Sequence, residues 1–227
     1  GAFDPTATLA VTFTSRAAGE LRTRLAGLGC SGVQVRTFHS AALRQLRFFY
    51  PRIFKKEFPH LITSKSEAIT VAASRCGVQL SRDEVRDVAA EIEWAKVCIQ
   101  SPDEYRRQSR PGDPAQTAGI YAEYLALLDE RNHIDFEDVL LLDLALVTTD
   151  HEVAAAVHRQ YRHFTVDEFQ DVSPVQFELL QAWLGRSTDI CVVGDPAQTI
   201  YSFTGATSDY LSAFDNHFPG SRRIDLA

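Results

Sequence analysis

A chain of 227 residues with 45% hydrophobic content suits one α/β domain with an insertion, and it supplies ample side-chain volume for a packed core. No stretch approaches the roughly 18–20 apolar residues of a membrane span, no charged-then-apolar leader opens the chain, and Cys30, Cys76, Cys98 and Cys191 lack metal-type spacing, so reduced thiols in a cytoplasmic protein are expected. The net charge of −7 is unevenly spread: residues 1–56 hold nine cations against Asp4 and Glu20, and the remainder holds 14 cations against 28 acids. A basic segment of this kind suits contact with a phosphate backbone, although charge alone fits solvated helix faces equally well.

In chain order, Leu9–Thr12 reads as a strand. Ser15 then caps a helix that carries Ala17, Ala18, Leu21, Leu25 and Leu28 on one face and ends at Gly27 and Gly29. Val33, Val35 and Thr37 alternate as a second strand, and Ser40–Tyr50 forms a helix stopped by Pro51. Two strand-to-helix turns result, Phe13–Thr14–Ser15–Arg16 and Thr37–Phe38–His39–Ser40. Hydroxyls and helix N-terminal amides hold phosphates, and exposed aromatics stack on bases. By themselves Phe13 and Phe38 read as core residues, and His39 as a local hydrogen-bonding residue.

Three capping-box patterns follow: Ser64 with Glu67, Ser81 with Glu84, and Ser101–Pro102 with Glu104. No strand pattern interrupts them, so residues 47–114 are expected to form an inserted all-helical subdomain. Residues 1–46 and 115–227 are then expected to form the α/β domain. A helix over Thr117–Arg131 and another through Asp135–Leu146 lead back to the sheet.

The most informative segment is Phe164–Thr165–Val166–Asp167–Glu168–Phe169–Gln170–Asp171. A short apolar strand delivers two adjacent carboxylates to its carboxyl end, where open α/β sheets bind ligands. Ser173, Pro174 and Gln176 then start a helix with an N-cap, a first-turn proline and a capping-box partner. Two such carboxylates can divide labour, one holding hydrated Mg²⁺ and the other polarising a water that attacks a phosphate. A second strand, Ile190–Val193, ends at Gly194–Asp195, with Gln198, Tyr201 and Phe203 close behind in a polar loop. Asp195 and Gln198 are candidates for the same phosphate–metal site. Tyr201 and Phe203 read from composition as apolar anchors more readily than as stacking platforms.

VDEFQD and VVGDPAQTIYSFTGA resemble motifs II and III of superfamily 1 DNA helicases of the UvrD/Rep/PcrA type. LAVTFTSRAAGELRTRL (9–25) resembles motif Ia, VRTFHSAALRQL (35–46) resembles motif Ib, and DFEDVLLL (135–142) resembles the segment preceding motif II. Four ordered matches are specific where one tetrapeptide is not; residues 50–115 match loosely. The resemblance implies a RecA-like sheet with an inserted helical subdomain, and an ATP- and Mg²⁺-dependent helicase. Such an enzyme unwinds duplex DNA by moving 3′-to-5′ along single strands in repair or replication, in a bacterial, nucleoid-associated setting.

Carried onto this chain, Asp167 holds Mg²⁺, Glu168 orients the attacking water, Gln198 senses the γ-phosphate and Asp195 supports that network. Phe13, Thr14, Ser15, Arg16, Thr37, Phe38, His39, Tyr201 and Phe203 line the single-strand track up to the duplex junction. Phe203 stands where relatives often have tryptophan, and Thr204 departs from a common arginine. The family's Gly-x-x-x-x-Gly-Lys phosphate loop is absent from this sequence, and the chain ends before the family's motif IV, so the segment alone is expected to be inactive. Two alternatives remain open: a non-catalytic DNA-binding or regulatory module, and a segment of a helicase–nuclease subunit.

Overall fold

The computed structural model describes residues 4–199 and 205–225, in two compact units: Gly1–Ala41 with Leu146–Ala227, and Ala42–Ala145. The first unit is built on β1 (Thr8–Thr12), every residue of which is buried, as in a central strand covered on both faces. It pairs in parallel with β2 (Gln34–Thr37), Ala10 opposite Val35, and with β5 (His163–Val166), Leu9 opposite Phe164. β6 (Ile190–Val192) adds to β5 with Val192 opposite Val166, giving the order β2–β1–β5–β6. The expected parallel α/β sheet is therefore present, with four strands.

Helix α1 (Ser15–Gly27) packs Ala18, Leu21 and Leu25 against Ala10, Val33 and Val35. Its N-cap is Thr14 rather than Ser15: the Thr14 hydroxyl accepts from the Ala17 amide at 3.1 Å. Leu28, placed on the apolar face by periodicity, is 78% exposed, because the helix ends at Gly27 and Leu28 lies beyond its last turn. Helices α8 (His151–Gln160) and α9 (Pro174–Leu184) pack together. Gly185, with φ +58, ends α9 against the His158 ring, which a β-carbon there would approach to 2.5 Å. His158 Nε2 lies 2.9 Å from the Ala182 carbonyl. The expected start of α9 is confirmed: Gln176 Oε1 accepts from the Ser173 amide at 3.0 Å, and Pro174 is the first helical residue.

The second unit is longer than the expected 47–114 insert, since the chain enters it within α2 (Phe38–Phe54) and leaves within α7 (Phe136–Thr149). Helices α3 (Ser66–Arg75), α4 (Arg82–Val97) and α6 (Pro114–Glu130) share one core, and α5 (Pro102–Tyr105) buries Tyr105 in it. Small residues on α3 (Ala68, Ala72, Ala73) face Tyr121, Tyr124 and Leu128 of α6, pairing small against large. The unit is not wholly helical: β3 (His60–Leu61) and β4 (His133–Ile134) form a two-residue parallel ladder.

The Ser81 and Ser101 capping boxes are formed, but Ser64 caps nothing. Lys65 occupies the N-cap of α3 instead, and its ammonium is drawn to Glu137 and, at 3.3 Å, to Glu93. Pro51 does not stop α2, which runs to Phe54. The proline is exposed, and the extra turn is held by the Tyr50 ring against Phe54 at 4.6 Å and Arg52 donating to the Phe48 carbonyl.

Candidate active site

Three strand ends of the first unit are stitched together by backbone bonds. The Asp167 amide donates to the Val11 carbonyl at 2.9 Å, the Val193 amide to Val166 at 2.9 Å, and the Phe169 amide to Val193 at 2.9 Å. The last of these fixes a sharp turn in which Glu168 adopts left-handed φ 53°, ψ 42°, an uncommon geometry for a non-glycine residue. The turn is backed by an aromatic cluster from the far end of the chain. Phe214 meets Phe169 edge-on at 5.6 Å, and Tyr210 stacks on Phe177 at 4.0 Å.

The two carboxylates differ in setting. Asp167 is half-buried, and burial pushes its carboxyl above the usual range, with the Glu168 charge adding to the shift. Glu168 is exposed, with one carboxylate oxygen (Oε2) accepting from Gln170 Nε2 at 2.7 Å. Asp195 follows β6 and accepts from the Ala197 amide at 2.9 Å and from Gln198 Nε2 at 2.8 Å; these bonds hold its carboxyl below the usual range. Both acidic strand ends thus belong to neighbouring strands.

Gln170 was missed by sequence reasoning. It is 1% exposed, and its Oε1 accepts from the Asp195 amide at 3.1 Å, so it touches both strand ends. No group of three or more His, Cys, Asp or Glu side chains suited to a metal occurs among the described residues. That fits Mg²⁺ bound through one carboxylate with waters and nucleotide phosphates, and Asp167, paired with no cation among the described residues, has the right chemistry.

The proposed single-strand contacts are placed unevenly. Ser15 and Arg16 are exposed, and with Thr23 and Arg24 they line an open hollow along α1; Arg16 pairs at 3.0 Å with Glu20. Phe13 is half-buried, and the Thr14 hydroxyl is engaged in the cap. Thr37 and Ser40 form a reciprocal cap at the start of α2, each hydroxyl accepting from the other's amide at 3.2 and 3.0 Å.

Phe38 corrects the expectation drawn from the resemblance. It is 3% exposed, with its ring 5.9 Å from that of Trp183 and nearly parallel to it, so it presents no face for a base. Its aromatic area is worth more inside this core than in solvent, which is the reading its residue type alone favoured. Tyr201 and Phe203 lie outside the described residues.

His39 is placed in a desolvated site, and burial pushes its imidazole down to about 4, so it is neutral at pH 7 and offers a phosphate no cation. Its folded pKa lies below the unfolded value of about 6.5, so its contribution to stability is complete above that pH and is lost as pH falls toward 4. Between pH 7 and 5 the parent is expected to lose roughly 1–2 kcal/mol more stability in urea unfolding than His39→Gln. Equal losses in the two proteins would refute a buried, neutral His39.

The four-stranded parallel sheet, with Asp-Glu and Asp-x-x-Gln at neighbouring strand ends, is of the RecA-like α/β class. The UvrD/REP helicase N-terminal domain matches residues 1–219, and the chain belongs to that family. It is 46% identical over 235 aligned positions to "ATP-dependent DNA helicase UvrD2" of Mycobacterium tuberculosis, covering 96% of this chain and 34% of the relative. The corresponding figures are 32%, 96% and 30% for "ATP-dependent DNA helicase UvrD1" of the same species, and 28%, 96% and 30% for "ATP-dependent DNA helicase PcrA" of Bacillus subtilis. The chain therefore spans about a third of the length of these relatives. Among the described residues no helix is long and apolar enough to cross a membrane.

Proposed function

We propose that this chain is the first-motor-domain portion of an ATP-dependent DNA helicase, a bacterial cytoplasmic enzyme that moves 3′-to-5′ along single strands and opens duplex junctions. The observation that carries this reading is the juxtaposition of Asp167–Glu168 at the end of β5 with Asp195–Gln198 at the end of β6, hydrogen-bonded to each other through Gln170. Family membership and helicase relatives at up to 46% identity support it.

In the complete enzyme Asp167 holds the Mg²⁺ of Mg-ATP, and the bound metal supplies charge neutralisation on the phosphates. Glu168, exposed and tethered, orients water and accepts its proton. Gln198, bonded to Asp195, reports on the γ-phosphate. β6 has Val193 46% exposed beyond its end and Cys191 exposed along it, an open edge suited to a further parallel strand bearing a lysine-containing phosphate loop. No Gly-x-x-x-x-Gly-Lys occurs in these 227 residues, so hydrolysis requires groups from outside them.

Contact with the DNA backbone falls to exposed Ser15, Arg16 and Arg24 on α1, and Phe13, Tyr201 and Phe203 are the aromatics proposed to stack on bases. The test is strand displacement by the full-length protein on duplexes with a single 3′ or 5′ tail, alongside ATP hydrolysis with and without single-stranded DNA. DNA-stimulated hydrolysis and displacement from the 3′ tail are expected. Displacement from the 5′ tail alone reverses the polarity, and DNA binding without hydrolysis replaces the reading with that of a regulatory module.

A further inference from the structure

We propose that Gln170 is a positioning residue that locks the Glu168 carboxylate to the Asp195–Gln198 loop, so that movement of that loop sets the alignment of the attacking water. The inference rests on the roles proposed above for Glu168 and Gln198.

Its basis is geometric. The Gln170 carboxamide lies in the protein interior, yet both its ends are engaged: Nε2 donates to Glu168 Oε2 at 2.7 Å, and Oε1 accepts from the Asp195 amide at 3.1 Å. The orientation of the amide follows from its partners, since a carboxylate only accepts and a backbone N–H only donates. Asn is too short to reach both, and Glu would turn an acceptor toward a carboxylate. Gly194 completes the seat: a β-carbon there would come within 2.5 Å of Gln170 Oε1, 3.0 Å of Leu211 Cδ2 and 3.1 Å of the Gln170 amide nitrogen, so a larger residue would displace the carboxamide.

The consequence follows from the exposure of Glu168. An exposed glutamate samples several rotamers, and water activation needs one of them. A buried amide whose other end is bonded to the next strand selects that rotamer. The same amide belongs to a line that runs Glu168–Gln170–Asp195 and on through the Asp195 carboxylate to Gln198 at 2.8 Å. The group proposed to sense the γ-phosphate and the group proposed to activate water are thus linked by side chains and one residue of backbone. A shift of the loop transmits to Glu168 without any change in the sheet.

The test uses the full-length protein and five variants: Gln170→Leu, Gln170→Glu, Gly194→Ala, Glu168→Gln and the Gln170→Leu/Gly194→Ala double variant. Gln170→Leu and the equal-sized Gln170→Glu are each expected to lower kcat for DNA-stimulated hydrolysis about 10- to 100-fold, as loss of an outer-shell orienting partner does. KM for ATP and affinity for single-stranded DNA should stay within about threefold, a split that general loss of structure does not produce. Gly194→Ala, acting from the other strand, is expected to reproduce the loss. The Gln170→Leu/Gly194→Ala double variant should fall no more than about twofold below the worse single one, because both break the same link. A kcat within twofold of the parent in Gln170→Leu, at unchanged Tm and with Glu168→Gln inactive, overturns the inference. Should both Gln170 variants fail to fold, Gly194→Ala decides alone: a kcat loss at constant KM supports the link, and parental kcat rejects it. Hydrolysis that survives Glu168→Gln instead rejects the underlying assignment of Glu168.

Discussion

Glu168→Gln in the full-length protein is expected to lower ATP hydrolysis by about 10²- to 10⁴-fold, the usual worth of a positioned general base, while leaving ATP and single-stranded DNA affinity within about threefold. The substitution is nearly isosteric, and the local structure tolerates it. The amide oxygen of the new side chain can still accept from Gln170 Nε2, and the left-handed turn is held by the Phe169 amide on the Val193 carbonyl, which the substitution leaves in place. What disappears is an acceptor basic enough to take a proton from water. Asp167→Asn is expected to differ: it removes a half-buried carboxylate, so hydrolysis falls with a raised requirement for Mg²⁺. Steady-state hydrolysis across a Mg²⁺ titration separates the two. If Glu168→Gln retains more than about a tenth of parental turnover, the base lies elsewhere.

The parts of this fold that were legible in the sequence are those determined by neighbouring residues. The Pro174 helix start and the Ser81 and Ser101 boxes depend on contacts within four residues, and the strands ending at Thr12 and Val166 show locally as short apolar runs although their pairing partners are distant; all are present. Failures occur where a distant partner outcompetes a local one. Ser64 loses its expected cap because Lys65 is held by Glu137, 72 positions away. Pro51 differs, in that it passes through a helix whose extra turn is sustained by contacts inside the helix itself, the Tyr50 ring on Phe54 and Arg52 on the Phe48 carbonyl. Phe38 sits in the segment that resembles motif Ib, but the Trp183 ring determines what it does here.

The candidate site divides in the same way. An apolar run broken by Asp167–Glu168 is a local signal, and so is Gly194–Asp195. That Gln170 joins them depends on the register of β5 against β6 and on a left-handed φ at Glu168, and neither follows from residue types at fixed spacing. The desolvation of the His39 imidazole, which leaves it neutral, has the same origin in packing rather than pattern.

Lys96→Met is expected to cost about 3–5 kcal/mol of stability, the usual price of stripping one partner from a fully buried ion pair. The Lys96 side chain is 0% exposed and donates at 2.7 Å to both Asp135 and Asp138, while the Tyr124 hydroxyl donates to Asp135 at 2.8 Å. Burial alone would raise Asp135, but the Lys96 and Lys65 ammonium groups outweigh it and hold that carboxyl below its usual range. Asp138 responds oppositely, pushed up by burial despite Lys96, with the Asp135 charge adding to the rise. The two aspartates also cap α7 reciprocally, each accepting from the other's amide at 3.0 Å, so their charge cannot be relieved by turning outward without undoing the helix start. Methionine fills the space of the lysine stem but leaves two carboxylates facing each other in a dry site. Both then bind protons more tightly in the folded state than in the unfolded one, so the variant should regain more stability than the parent as pH falls from 7 toward 4; in the parent the raised Asp138 is opposed by the lowered Asp135. Adding Asp135→Asn and Asp138→Asn to Lys96→Met should recover much of the loss at pH 7, because asparagine still caps and carries no charge. About 1 M salt should recover little, since the cluster is shielded from solvent. Urea unfolding of the three proteins at pH 7 and 5 reads all of this, and a loss below about 1 kcal/mol for Lys96→Met, or one that the asparagines do not relieve, would show that the cluster tolerates an unbalanced charge.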